Sequence, residues 1–363
     1  MLIMVSRRVG QARRRLEAEG ARVLALPPGD DLFYLLGYTP HPDERPCYLF
    51  LTQEEALFLV PELNAAEAAA HVPFPTITYT DAEGPGGALR EAHRRLGAPP
   101  VVAVGDTMRA DALLLLQELW PQALFIPGAR VMAPLRTVKS AEEIAALRRA
   151  AATADAAVEA VFAAVRPGVR EVELKRVAED ALYDAGAQEV PFATIGVGAN
   201  SAFPHHTTST AAAKAGEPIL VDLGSRVDGY MSDITRMAFL GSPPARYLEI
   251  HALVEEAVCA ALETIRPGVP IREVDLAARQ VIERAGYGGR FTHRTGHGIG
   301  ISVHEAPSIT HTNERPLEVG MTFSVEPGIY LPGEFGVRLE EIVVVTAQGP
   351  QILSRLPRDL RVL

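Results

Sequence analysis

The chain has 363 residues, 48% of them hydrophobic, and a formal net charge of −10. The length allows two domains, the acidic balance argues against a nucleic-acid surface, and no apolar run approaches membrane-spanning length. Cys47 and Cys259 lie too far apart for a disulfide framework or a metal-binding cysteine spacing.

The opening stretch MLIMVSRRVGQARRR places apolar residues before basic ones, the reverse of a secretion signal, so a cytoplasmic protein is expected. Residues 1–19 read as a helix ended near Gly20. Short β-like runs follow at Arg22–Leu26, Cys47–Leu51, Ala56–Val60, Thr76–Tyr79, Val101–Val104 and Leu124–Ile126. Helical stretches around Leu89–Leu96 and Ala110–Trp120 alternate with the later runs, which predicts an α/β N-terminal domain over residues 1–134. His41, in the loop TPHPDERP, reads as a solvent-facing or loop-packing residue.

Pro127–Thr137 reads as a linker, and a second domain is expected over residues 135–363. Ser140 and Glu143 form a capping-box signature at the head of an Ala-rich helix running to about Val165. An internal repeat follows. Arg166-Pro167-Gly168-Val169 recurs as Arg266-Pro267-Gly268-Val269, each copy between two helices, the second of which (Glu171–Ala185, Glu273–Ala285) is closed by Gly186 or Gly286. Each copy then carries a histidine, His205 or His304. Gly216 stands six residues before Asp222, as Gly320 stands six before Glu326. Two similar halves related by a pseudo-twofold axis are therefore expected, each offering carboxylates to the centre.

The stretch GEPILVDLGSRVDGYMSDITR, Gly216–Arg236, is the clearest part of that centre. Asp228-Gly229 is a two-residue hairpin signal. A turn there sets Asp222 opposite Thr235 and places Asp222 and Asp233 on one sheet face, roughly 7 Å apart as diagonal neighbours. Two acids on one face repel unless a cation lies between them. By the same parity, a hairpin centred near Gly333 pairs Glu326 with Glu340. It puts Arg338 on their face and turns Glu341 away, toward a hydrogen bond or a surface contact. In FTHRTGHGIGISVHE, glycines 296, 298 and 300 free space around His297. Asp222, Asp233, Glu326, Glu340 and His297 can hold two divalent ions if carboxylates bridge, with Mn²⁺, Co²⁺ or Fe²⁺ suited to oxygen-rich ligation.

Each feature has a bland reading when taken alone. Asp222 could be a strand-end acid, Asp233 could pair with Arg236, and Glu326 before Pro327 could be a turn residue. His205 and His304 could donate a proton, contact substrate or hydrogen-bond structurally. His206, His293 and His311 read as supporting or surface residues. Arg338 is expected to pair with a metal-bound carboxylate or with a substrate carboxylate. The repeat, which places four acids equivalently, favours the metal site.

The motifs VDLG, SDITR, HRTGHGIG, VEPGIY and GVRLEE, in this order, resemble the five ligand motifs of the pita-bread metallopeptidases, in the prolidase and aminopeptidase P branch. The likeness runs from about Arg136 to the end, and the segment containing DDLFYLLGY resembles the N-terminal domain of creatinase and prolidase. The resemblance implies an α/β domain followed by an α+β pita-bread domain with internal pseudo-twofold symmetry. It implies metal ligation by Asp222, Asp233, His297, Glu326 and Glu340, with two divalent ions per chain, Mn²⁺ or Co²⁺ before Fe²⁺ or Zn²⁺. It implies hydrolysis of the bond between an N-terminal residue and a following proline in small peptides. Glu326 would act as acid/base, His304 as oxyanion donor, and His205 and Arg338 as substrate-orienting groups. A homodimer or larger assembly, in which a partner's first domain helps close the cleft, goes with the family; nucleic acid and membrane partners do not. The compact length favours a dipeptidase, with aminopeptidase P activity on longer peptides as the alternative. A metal-free creatinase-like amidinohydrolase and an inactive binding module of this fold both conflict with the full ligand set. Methionine aminopeptidases lack a first domain of this type.

Overall fold

A computed structural model describes residues 2–363 and divides the chain into two compact units, one through Arg136 and one from Thr137 to Leu363.

The first unit carries α1 (Leu2–Ala18), β1 (Val23–Leu26), α2 (Asp30–Leu36), β2 (Tyr48–Leu51), β3 (Ala56–Pro61), α3 (Glu62–His71), β4 (Thr76–Tyr79), α4 (Gly86–Leu96), β5 (Val101–Val104), α5 (Ala110–Leu119), β6 (Leu124–Pro127) and α6 (Ala129–Thr137). All six expected strands form, in one sheet of order β4-β3-β2-β1-β5-β6. Met1, at the head of the expected first helix, lies outside the described residues. Buried strands read as unbroken apolar runs, and β1, β2 and β3 are buried at every position. Most of the expected linker is instead helix α6, despite Pro134 inside it. Pro134, sixth of the nine residues, removes one backbone donor within the helix.

The second unit carries α7 (Ala141–Ala164), α8 (Glu171–Asp184), β7 (Glu189–Val197), β8 (Glu217–Val227), β9 (Tyr230–Met231) and β10 (Ile234–Leu240). It continues with α9 (Ala245–Thr264), α10 (Ile271–Arg284), β11 (Gly296–Gly298), β12 (Glu305–Ile309), β13 (Thr322–Val325), β14 (Gly328–Leu331), β15 (Phe335–Arg338), β16 (Glu341–Thr346), β17 (Gly349–Ile352) and β18 (Arg361–Val362). The capping box forms as expected: Ser140 N donates to Glu143 Oε2 at 2.7 Å and Glu143 N to Ser140 Oγ at 3.3 Å.

The repeat is structural as well as sequential. Each half packs two helices on a sheet, β18-β10-β8-β7 with β9 on β8, and β12-β11-β13-β16-β17. Gly168 and Gly268 take φ of 85° and 87°, and both donate to a carbonyl further along their own half, Ala213 and Leu317. Gly216 and Gly320 match again, with φ of 89° and 92°. Such values suit glycine because it lacks the Cβ that clashes there.

Candidate metal centre

The two hairpins have the expected registers. Val227 pairs with Tyr230 across Asp228 and Gly229, whose φ values of 50° and 81° make the two-residue turn, and Asp222 pairs with Thr235. The returning strand is interrupted at Ser232-Asp233, opposite Gly224. A Cβ on Gly224 would stand 2.2 Å from Ser232 O, so the close approach of the two chains requires glycine. In the other half Val325 pairs with Glu341 and Gly328 with Arg338, the register in which Glu326 faces Glu340. The expected continuous strand from Gly336 to Thr346 breaks at Leu339-Glu340, because β15 pairs with β14 while β16 joins β13. The break frees Glu340 N to donate to Thr235 O at 3.3 Å, which joins the two halves at the site.

Asp222, Asp233, His297, Glu326 and Glu340 all line one pocket of about 270 Å³, together with His205, His293, Arg294, His304, Arg338, Phe192, Thr194, Pro204 and Val303. Ligand atoms of Asp233, His297 and Glu340 lie within 4.8 Å of one another. His297 Nε2 stands 3.5 Å from Asp233 Oδ2 and 3.3 Å from Glu326 Oε1. His297 Nδ1 donates to Gly298 O at 3.1 Å, so Nε2 is the ring nitrogen presented to the carboxylates and to any metal among them.

The glycines around His297 serve neighbouring backbone more than the imidazole. A Cβ on Gly296 would sit 1.8 Å from Ser324 O, and one on Gly298 would sit 2.3 Å from Ala306 O. β11 is pressed between β12 and β13, and only glycine permits that spacing.

Arg338 is 3% exposed. Nη2 donates to Asp222 Oδ2 at 2.6 Å, Nε to Thr235 Oγ1 at 3.0 Å, and Nη1 to Tyr330 OH at 3.0 Å and Pro204 O at 3.3 Å. Of its two expected partners the structure therefore gives the carboxylate of Asp222. Asp233 does not pair with Arg236, which turns to the opposite sheet face and binds Glu341 at 2.8 Å. Glu341 points away from the pocket as parity requires, but it is 2% exposed in a buried ion pair and makes no surface contact.

His205 and His304 are exposed at the pocket, and His304 stacks edge-on to His297 with ring centroids 4.1 Å apart. His293, expected as a supporting residue, accepts from Tyr330 OH at Nε2 (2.8 Å) while its Nδ1 donates to Arg294 O (2.7 Å). His206 pairs with Glu171 at 2.8 Å, and His311 lies on the surface beside Asp275. Thr235, Tyr330 and Arg294 were not singled out in the sequence as functional. Tyr330 could have been found as the last residue of VEPGIY, and Arg294 as the cation two residues before the glycine–histidine run.

The charges fit a cationic occupant. Burial, reinforced by the neighbouring acids, pushes Asp233 and Glu340 well above the usual carboxylate range. Burial also raises Asp222 against the pull of Arg338. Burial opposes ionisation of Glu326 too, but the His297 hydrogen bond and charge, with Arg338, bring it below that range. Glu340 Oε2 accepts from Thr235 Oγ1 at 2.8 Å, whereas buried Glu340 Oε1 has no hydrogen-bond partner among the described residues. An orphan oxygen among mutually repelling acids, beside the Nε2 of His297, is a donor set divalent ions would satisfy.

A two-halved α+β domain whose central strands converge four carboxylates and an imidazole defines a metallohydrolase. Residues 145–347 match the metallopeptidase family M24 and residues 8–138 the creatinase/prolidase N-terminal domain; the chain belongs to family M24, with the pita-bread fold, and is a metallopeptidase using divalent metal. Recombinant prolidase from Thermococcus sibiricus superposes with a TM-score of 0.95 at 31% identity, covering 99% of both chains. Dipeptidase PepE from Mycobacterium ulcerans gives 0.93 at 36% identity, covering 99% of this chain and 98% of its own. A Mycobacterium tuberculosis relative described as a probable dipeptidase PepE is 37% identical over 364 residues, 99% of this chain and 96% of its own. Among the described residues, no helix is long and apolar enough to cross a membrane.

Proposed function

We propose that the chain is a dinuclear Xaa-Pro dipeptidase, with Asp222, Asp233, His297, Glu326 and Glu340 holding two Mn²⁺ or Co²⁺ ions. The observation that carries the dipeptide reading is Arg294 on the pocket wall. Its Nη1 donates to Ser308 Oγ at 3.0 Å, and among the described residues it has no carboxylate partner. A cation kept unpaired beside the scissile position suits the free carboxylate of a C-terminal proline. The pocket, about 270 Å³, falls just below the roughly 300–1,000 Å³ usual for small-molecule sites, which suits a two-residue substrate.

Bound ions would supply Lewis acidity toward the scissile carbonyl and a water acidified to near-neutral pKa. Glu326 is ionised at neutral pH, and its carboxylate would take the proton of the attacking water and pass it to the leaving proline nitrogen. Partial desolvation at the pocket wall, with the charges of His297 and Arg294, lowers His304 to about 4, so its imidazole is neutral and can donate a hydrogen bond to the developing oxyanion. His205, on the same wall, orients the substrate. Arg338 holds Asp222 in place while Tyr330 and Thr235 hold Arg338. The resemblance to prolidases also supports a cytoplasmic homodimer, which equilibrium sedimentation would test.

The experiment compares Xaa-Pro with Xaa-Pro-Yaa cleavage by Mn²⁺-loaded protein. Faster turnover of the dipeptide is expected. Arg294→Leu should raise KM for it by about 10- to 100-fold, the scale of a lost charged hydrogen bond, while sparing the tripeptide. Preference for the longer peptide would make the enzyme an aminopeptidase P instead.

A further inference from the structure

Behind the ligand-bearing face of β10 lies a buried charged cluster that touches no candidate ligand side chain. Its centre is Arg236, 1% exposed. Nε donates to Pro357 O at 3.0 Å. Nη1 donates to Thr235 O at 3.1 Å and also to Glu340 O. Nη2 donates to Leu356 O at 2.6 Å, Glu341 Oε1 at 2.8 Å and Ser354 Oγ at 3.4 Å. Glu341 is held in turn by Arg358 at 3.0 Å, and Arg358 grips Glu255 of α9 at 2.8 Å. Ser354 Oγ donates to Asp155 of α7, and the chain ends as β18 beside β10. The segment from Ser354 thus runs from the second half's sheet to the edge of the first half's, and Arg236 is tied to it three times.

We infer that Arg236 is a positioning residue for the metal pair, locked by the Ser354–Arg358 segment; the inference rests on the dinuclear reading above. The carbonyls of Thr235 and Glu340 belong to opposite halves, and one nitrogen, Nη1, donates to both. That staple, with the Glu340 N to Thr235 O bond, sets the distance between β10 and the broken strand carrying Glu340. Asp233 stands two residues before Thr235, so the same distance sets how closely the Asp233 and Glu340 carboxylates converge. Removing Nη1 takes a donor from both buried carbonyls and leaves the 3.3 Å bond from Glu340 N to Thr235 O to hold the two segments together. The planar guanidinium reaches both carbonyls while its remaining N–H groups bind Glu341 and the terminal segment. A lysine ammonium, with three donors on one atom, cannot span those positions.

The test titrates metal-free wild type and Arg236→Lys with Mn²⁺ alone, reading ions bound and Kd by calorimetry, beside circular dichroism of each metal-free form. A folded Arg236→Lys protein that binds at least one ion about 10- to 100-fold more weakly is expected, the scale of losing a residue that supports metal ligands. A folded variant with both wild-type Kd values would make Arg236 merely structural and overturn the inference. If Arg236→Lys does not fold, Arg358→Gln carries the test. It releases one arm of Glu341 and should weaken Mn²⁺ several-fold, and an unchanged Kd there is equally fatal. A wild-type protein that binds no Mn²⁺ would overturn the dinuclear reading together with this inference, whereas two ions bound equally by wild type and variants overturns the inference alone.

Discussion

At the scale of single residues, the adjacent acids Glu340 and Glu341 show how strand parity assigns chemistry. One faces the pocket with an unsatisfied oxygen, and the other faces buried Arg236 and half-buried Arg358. Glu340→Gln removes a charge from the donor set, so metal occupancy should fall and activity vanish. Glu341→Gln should keep two ions at saturating metal but lose about 3–5 kcal/mol of unfolding stability, because it strands a buried ion-pair partner. Metal content and chemical denaturation of both variants decide it; metal loss on Glu341→Gln alone would put the register off by one. His304 is a different case, since it lies 4.1 Å from His297 ring to ring and is not needed to complete the donor set. His304→Ala should lower kcat by roughly 10²-fold while two ions stay bound, the scale of removing an oxyanion donor. Loss of metal from that variant would show His304 to be a ligand.

At the scale of elements, what was legible in the sequence is what local rules control. The Asp228-Gly229 turn and the period of two carry Asp222 opposite Thr235, and the same counting about Gly333 carries Glu326 opposite Glu340. Ser140 and Glu143 announce α7 by their own chemistry. The elements that escaped are those without such signals. α2 has seven residues between Gly29 and Gly37, α3 is ELNAAEAAAH with a weak apolar stripe, and α6 contains a proline. The link of Arg338 to a carboxylate was legible, but the extension through Tyr330 to His293 escaped, because His293 comes from a separate stretch and meets that hairpin only in the folded domain. The glycines of β11 were legible as positions but not in purpose. Gly296→Ala tests the purpose, since its methyl would enter Ser324 O and force β11 from β13. His297 N donates to Ser324 Oγ at 2.9 Å, so that displacement carries the imidazole with it. Weaker metal binding and a lower unfolding midpoint are expected together; a variant with wild-type metal affinity would mean the sheet yields without moving His297.

At the scale of the whole molecule, the metal centre is an electrostatic debt held inside a folded domain. Asp222, Asp233 and Glu340 are raised by burial, and the mutual repulsion of the acids adds to it. For each, the folded state of the metal-free protein holds a proton that the unfolded chain releases near pH 4. Stability then falls as pH rises through the raised values, because the folded state binds more protons there. His304 acts in the opposite sense: lowered to about 4, it loses stability as pH falls from about 6.5 toward 4. It is one exposed group against three carboxylates that are buried or nearly so, so the carboxylates set the net slope in the metal-free protein. The unfolding midpoint of chelated protein should therefore rise as pH is lowered from 7 toward 5. Mn²⁺ should raise the midpoint most at pH 7 and progressively less on acidification, because protons and metal compete for the same oxygens. Glu340→Gln should flatten the metal-free slope by removing one of the three. Thermal unfolding of chelated and Mn²⁺-loaded wild type at pH 5, 6 and 7, with Glu340→Gln alongside, gives the comparison. A chelated wild type that grows less stable between pH 7 and 5, with the slope unchanged in Glu340→Gln, would mean these carboxylates do not repel as the fold arranges them.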